Sequence, residues 1–223
     1  MSVVFTTISE NFIALCADKQ RINAVTGKVV DDMTKIEKWA PQLAVGMSGN
    51  LALGELVRTT VHQFVTESGI SNFGVEEIAD LFIQSYQNTL ANLNTPEDTI
   101  SKFIIAGKLA NKKLGAVVIR VGADTADKET FEASKVPATL ILEPADLSSE
   151  QCNMLLAKAL KNVEGKYLKN PLESIHRRAV RNVSEHSQYV SKDSEFLLIT
   201  PYANLNIVIN ISWADLCGLP FLF

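Results

Sequence analysis

The chain has 223 residues, 47% hydrophobic and 21% charged, an ordinary globular balance with enough apolar material for a sizeable core. Its 21 basic and 25 acidic residues are interspersed and give a formal net charge of −4 at pH 7, so charge makes no case for nucleic acid or an anionic membrane surface as a partner. Cys16, Cys152 and Cys217 are scattered, no basic stretch precedes an apolar one at the start, and the apolar run Leu216 to Phe223 is too short to span a bilayer; the expectation is one cytoplasmic domain over residues 1–223, reduced and without a membrane span.

The first fifty residues read as strands. Val3 to Ile8 is rich in β-branched residues, Ser9-Glu10-Asn11 signals a turn, and Phe12 to Ala17 is a second apolar run. A hairpin centred on Glu10 pairs residues whose numbers sum to 20, which sets Ser2 opposite Asp18 at its open end. Shorter strands are expected around 28–30, 34–37 and 42–48. Two amphipathic helices follow: one with a stripe of Leu53, Leu56, Val57, Val61, Phe64 and Val65, the other with Val75, Ile78, Ala79, Phe82, Ile83 and Tyr86. Pro96 closes the linker behind them.

A second strand block covers 101–109, 114–121, 129–133 and 138–142, with Asn111-Lys112 suited to the turn between its first two strands. Ser148-x-x-Gln151 is a capping box ahead of Leu155, Leu156 and Ala159. Asn170-Pro171 is an N-cap with proline at the first helical position, ahead of Leu172, Ile175, Ala179 and Val183. Final strands are expected near 195–200 and 204–211. The alternation of strands and helices, with near-continuous apolar strands, fits an α+β protein in which two sheets face each other and each carries helices on its outer side, a four-layer αββα sandwich. Order alone leaves other α+β arrangements open.

Four features then fall in series: Met1-Ser2, Ala17-Asp18, Thr34-Lys35-Ile36 and Gly46-Met47-Ser48-Gly49-Asn50. A small residue after Met1 normally becomes the new N-terminus, and a terminal serine carries both a hydroxyl and a free α-amine. A serine hydroxyl needs a base within hydrogen-bond reach, and an α-amine, with a reference pKa of about 7.7–8.0, is substantially neutral near pH 7.

On these features the chain resembles the proteasome β-subunit family of N-terminal nucleophile (Ntn) hydrolases, a group that includes simpler bacterial ATP-dependent relatives and the ancestral β-subunit. The motif match covers about the first fifty residues, while the order of elements is similar over most of the chain. The resemblance implies Ser2 as nucleophile and base, Asp18 as the residue that orients Lys35, Lys35 as the residue that lowers the amine's pKa, and Gly49 as the oxyanion donor. It implies Met47 and Ser48 as candidate substrate contacts, Ser48 also being placed to cap the following helix. The implied reaction is hydrolysis of a peptide or small amide through an acyl-enzyme, with no metal or organic cofactor. The implied partners are further copies of the chain, in a homo-oligomer that could close as a ring, and an ATPase.

The chain also departs from that pattern. The turn into the third helix, Leu142 to Ser148, has no glycine; Ser187 stands where the family has an aspartate; Val190 or Ser191 takes the place of a serine; and Gln20 replaces a common arginine. No carboxylate is evident near Ser187 from spacing alone. A non-catalytic scaffold of the same fold and a small-amide hydrolase therefore stand as the alternative readings. His62, His176 and His186 have no metal-ligand spacing. Asp31-Asp32 reads as a solvated pair, and Trp39 and Trp213 as core residues.

Overall fold

The structure, a computed structural model, describes residues 2–22, 29–30, 33–93, 100–163 and 170–200. It is a mixed α+β protein with two antiparallel sheets and four helices. The strands are β1 Val4–Ser9, β2 Phe12–Asp18, β3 Arg21–Ile22, β4 Val29–Val30, β5 Ile36–Ala40, β6 Leu43–Gly49, β7 Ser101–Lys108, β8 Leu114–Val121, β9 Ala126–Glu132, β10 Ala138–Leu142 and β11 Ser194–Ile199. The helices are α1 Leu51–Glu67, α2 Val75–Leu93, α3 Ser149–Val163 and α4 Pro171–Ser184. One sheet has the order β10-β1-β2-β11 and the other β5-β6-β7-β8-β9, while β3 and β4 form a small ribbon. The expected strand at 204–211, with Asp31-Asp32, Trp213 and Cys217, lies outside the described residues.

Three of the four apolar clusters among the described residues hold most of these elements together. Val57, Val61, Phe82 and Tyr86 of α1 and α2 pack on Phe103, Ile105 and Val117 of the five-stranded sheet. Val4, Ile13 and Leu15 of the four-stranded sheet meet Ala44, Ile104 and Ala116 of the other. Val3, Phe5 and Cys16 pack on Leu156, Ile175 and Val183 of α3 and α4. The clusters divide each strand by parity, as a strand buried on both faces requires. In β1, Val4 and Ile8 face the second sheet while Phe5, with Val3 just before the strand, faces helices. At Gly46 a Cβ would lie 2.9 Å from Ile104 of the neighbouring strand β7 and 3.3 Å from Val4 of the facing sheet, so a glycine there leaves room for both.

The hairpin register differs from the sequence expectation by one residue. Val4 pairs with Ala17 and Phe5 with Cys16, so partners sum to 21 and Asp18 lies opposite Val3, not Ser2. The turn between Ser9 and Phe12 consists of the two residues Glu10 and Asn11, which shifts the pairing from a centre on Glu10. The α1 stripe is narrower than its apolar residues imply: Leu56 and Phe64 are about half exposed, 48% and 49%. β9 also begins at Ala126, three residues before the expected start. Of the expected helix starts, the capping box of α3 forms, while Asn170 stands at the N-cap of α4 without a side-chain cap bond. Ser148 and Gln151 bond reciprocally at the head of α3, Pro171 opens α4, and Lys112 takes φ 68° in the β7–β8 turn.

Candidate active site

Ser2 lies just before β1 and is fully buried. The peptide group joining it to Val3 is held on both sides. Ser48 Oγ, on β6, donates to the Ser2 carbonyl at 2.8 Å, and the Val3 N–H donates to Asp18 Oδ1, at the end of β2, at 3.0 Å. One holder comes from each sheet, so this peptide group is fixed where the two sheets meet. The Ser2 hydroxyl, in contrast, has no hydrogen-bond partner among the described residues although its oxygen is buried. An unpaired buried hydroxyl costs about 1–3 kcal/mol; Thr6 Oγ1 on β1 shares this state, and the Ser2 hydroxyl differs from it in adjoining the peptide group held by Asp18 and Ser48.

Asp18 and Lys35 form an ion pair at 2.7 Å with both side chains at 0% exposure. Asp18 Oδ2 also accepts from the backbone N–H of Gln20 at 3.0 Å and of Ser191 at 3.4 Å. Burial pushes the Asp18 carboxyl above its ordinary value, while the Lys35 ammonium and the Val3 and Gln20 N–H groups pull it back down. Each group bonded to the carboxyl is a donor, the environment that an ionised carboxylate fits.

The Lys35 main chain is clamped as firmly as its side chain. Glu195 Oε1, on β11, accepts from the N–H of Lys35 at 2.5 Å and of Ile36 at 3.0 Å. The Lys35 carbonyl accepts from Met47 N–H at 3.0 Å. Arg58 of α1 reaches the Thr34 carbonyl at 3.2 Å while paired with Glu55 at 2.7 Å. Glu195 escaped the sequence reading because its link to Lys35 spans 160 residues; β11 brings it there by pairing with β2, Ser194 opposite Asp18.

Gly49 ends β6 with φ +102°, and a Cβ there would lie 2.6 Å from the Ile100 carbonyl oxygen. Backbone conformation and space both require glycine at this position. The helix cap expected from Ser48 comes instead from Asn50, whose Oδ1 accepts from Leu53 N–H at 3.2 Å, which leaves the Ser48 hydroxyl for Ser2. Met47 is 1% exposed and packs in the core under α1 and α2.

The carboxylate that spacing did not reveal near Ser187 is Asp146, in the turn into α3. Its Oδ1 accepts from Ser187 Oγ at 2.6 Å and its Oδ2 from Gln188 N–H at 3.1 Å. Gln20 donates through its side chain to the Gln188 carbonyl at 2.9 Å, which ties the end of β2 to the same loop. Among the described residues, no group of three His, Cys, Asp or Glu side chains is placed to hold a metal ion.

This arrangement can be set beside known proteins. No family model matches the sequence, and no curated protein matches it. Solved structures do match. Anbu (ancestral beta-subunit) from Yersinia bercovieri aligns with a TM-score of 0.63 at 10% identity, over 89% of this chain and 81% of that one. The Anbu complex from Pseudomonas aeruginosa, described as a helical assembly, aligns with a TM-score of 0.65 at 14% identity and the same coverage. The chain has a fold like that of Anbu. These findings correct the resemblance drawn from the first fifty residues: the proteasome β-subunit family as such is not what the chain matches, and the likeness is to Anbu, a distinct relative, in fold alone.

Proposed function

We propose that this protein is an N-terminal serine amidohydrolase acting on peptides, with its elements layered as an αββα sandwich and copies of the chain associating with one another. The observation that carries the reading is the Ser2 hydroxyl, buried without a hydrogen-bond partner among the described residues, beside the peptide group that Asp18 of the Lys35–Asp18 ion pair holds. A buried ion pair adds little net stability, because desolvation offsets most of its attraction. Its upkeep by three backbone N–H donors supports a chemical use. The likeness to Anbu supports a proteasome-like peptidase at the coarse level, and the helical assembly of the Pseudomonas aeruginosa protein supports self-association.

In this reading removal of Met1 frees the Ser2 amine. The nearby Lys35 charge disfavours a second cation and keeps that amine neutral, so it can take the proton from the Ser2 hydroxyl. The oxygen attacks a peptide carbonyl, and the Gly49 N–H receives the developing negative charge; such a donor contributes about 10²–10³ in rate. Collapse of the tetrahedral species expels the amine half of the substrate, protonated by the Ser2 ammonium. Water, deprotonated by the same amine, then releases the acid from the ester on Ser2. Asp18 holds Lys35 in place and balances its charge.

The test is the intact mass of the natively expressed protein, together with its turnover of a mixture of fluorogenic peptide amides. The expected result is a chain that begins at Ser2 and cleaves peptides, with activity at background in Ser2→Ala and retained in Ser2→Thr. Lys35→Ala should lower turnover by about 10²–10⁴, the range of a disabled general base. The complete burial of Ser2 favours one other reading, a non-catalytic scaffold. Retention of Met1 with no turnover would select the scaffold, and turnover that Ser2→Ala leaves intact would select against Ser2 as the nucleophile.

A further inference from the structure

Away from Ser2, the two sheets leave a cleft between their outer strands. Among the described residues β9 bonds only to β8 and β10 only to β1, so each is an edge strand of its sheet there. The cleft encloses about 500 Å³, within the range of roughly 300–1,000 Å³ typical of ligand sites. Phe131 of β9 and Ile141 of β10 supply apolar wall, and Asn153 of α3 lines the inside. Asn153 is only 7% exposed, and its Oδ1 has no hydrogen-bond partner among the described residues. A core position would favour an apolar residue here, because an unpaired buried amide oxygen is costly.

The charged residues lining the cleft are equal in number but unequally paired. Arg120 and Lys128 are already engaged, the first with Glu143 at 3.4 Å and the second with Asp80 at 2.5 Å. Asp127 and Glu129 line the same cleft and make no ion pair among the described residues. An unpaired acceptor inside, two unpaired carboxylates and apolar walls suit a cation on an alkyl stem. The two strand edges differ as well. β9 carries four charged residues (Asp127, Lys128, Glu129 and Glu132), the usual guard of an open edge, whereas β10 reads Ala-Thr-Leu-Ile-Leu. The β10 edge is therefore the one left ready to accept a further strand.

We propose that this cleft docks an extended peptide along β10 and receives a lysine or arginine side chain from it, the cation meeting Asn153 Oδ1, Asp127 and Glu129. The site is separate from Ser2. Lys102 and Arg120 both hold Glu143, at 2.5 and 3.4 Å, and this tie joins the sheets between Ser48 and Asp127 along one cross-strand row. Peptide docking here does not depend on catalysis at Ser2.

The test is fluorescence anisotropy of a labelled Val-Thr-Val-Lys-Val-Thr-Val amide with full-length Ser2→Ala protein, which cannot cut the peptide by the proposed route. Saturable binding is expected, about tenfold weaker when norleucine replaces the lysine and absent when glutamate does. Asp127→Asn with Glu129→Gln should weaken binding about tenfold and flatten its salt dependence. Asn153→Leu should also weaken it about tenfold, while Asn153→Asp, which keeps the acceptor, should preserve it. Thermal melts of each variant report the fold. Equal affinity for the norleucine peptide would overturn the proposal. So would unchanged binding in Asn153→Leu, or displacement of the peptide by spermidine at the peptide's own affinity.

Discussion

At the start of β1, Asp18 and Lys35 are buried as an ion pair; further along the same strand, His176 is buried as a neutral ring. His176 of α4 is 1% exposed. Its Nδ1–H donates to the Leu172 carbonyl at 2.8 Å, which leaves Nε2 to accept from Thr7 Oγ1 at 2.9 Å, and Thr139 Oγ1 in turn donates to Thr7 at 2.8 Å. That cluster is closed: one tautomer satisfies every member, and burial holds the imidazole's pKa down at about 4. The cluster at Asp18 keeps its charges, joins both sheets, and leaves the Ser2 hydroxyl without a partner among the described residues. The first arrangement suffices for packing. The second goes beyond what packing requires, and the difference is why the functional reading rests on Ser2 and not on the histidine.

The contrast can be broken most severely at Lys35. Lys35→Ala strands a buried carboxylate, and urea denaturation should register a loss of about 3–5 kcal/mol. Replacing both partners, as Lys35→Met with Asp18→Leu, should return most of that stability. A loss below about 1 kcal/mol in the single variant would mean that the two groups are not held as ions.

The next effect belongs to His176 and depends on pH. Its ordinary pKa is 6.5 and burial lowers it to about 4, so below pH 6.5 the unfolded chain takes up a proton that the folded chain refuses. The stability it confers is complete above pH 6.5 and is lost as pH falls through 4, in total about 3 kcal/mol. In His176→Gln the fall in stability across that window should be shallower by up to about 1.4 kcal/mol per pH unit. Parallel curves for the two proteins would show that the ring is not held neutral.

The smallest effect is expected at Gly49. Gly49→Ala forces a side chain into φ +102° and against the Ile100 carbonyl, and should cost about 1–3 kcal/mol by thermal melting. An unchanged melting temperature would mean that the end of β6 can relax without consequence.

Much of the fold was legible in the sequence because it rests on short-range pattern. β-branched runs gave most of the strands, though not β3 and not the span of β5, the 3.6-residue stripes gave the four described helices, and Ser148, Gln151 and Pro171 marked helix starts that the structure keeps. What failed was counting across a turn. A two-residue turn at Glu10-Asn11 in place of one centred on Glu10 moves every partner of β1 by one residue. Ser48 read as a helix cap because its hydroxyl suits that role, but its bond to Ser2 is a contact between sheets that no local window contains. Glu195 and Asp146 were missed for the same reason: each meets its partner across a long stretch of chain, 160 and 41 residues, by way of sheet order and loop packing.

The central claim is that Ser2 is a nucleophile activated by its own amine. The most direct test is to treat the natively expressed protein with an N-terminal-nucleophile-directed β-lactone and map the adduct by mass spectrometry. The account predicts an acyl adduct on a chain that begins at Ser2, absent in Ser2→Ala and formed more slowly in Lys35→Ala. A protein that keeps Met1, or an adduct that forms equally well in Ser2→Ala, would contradict it.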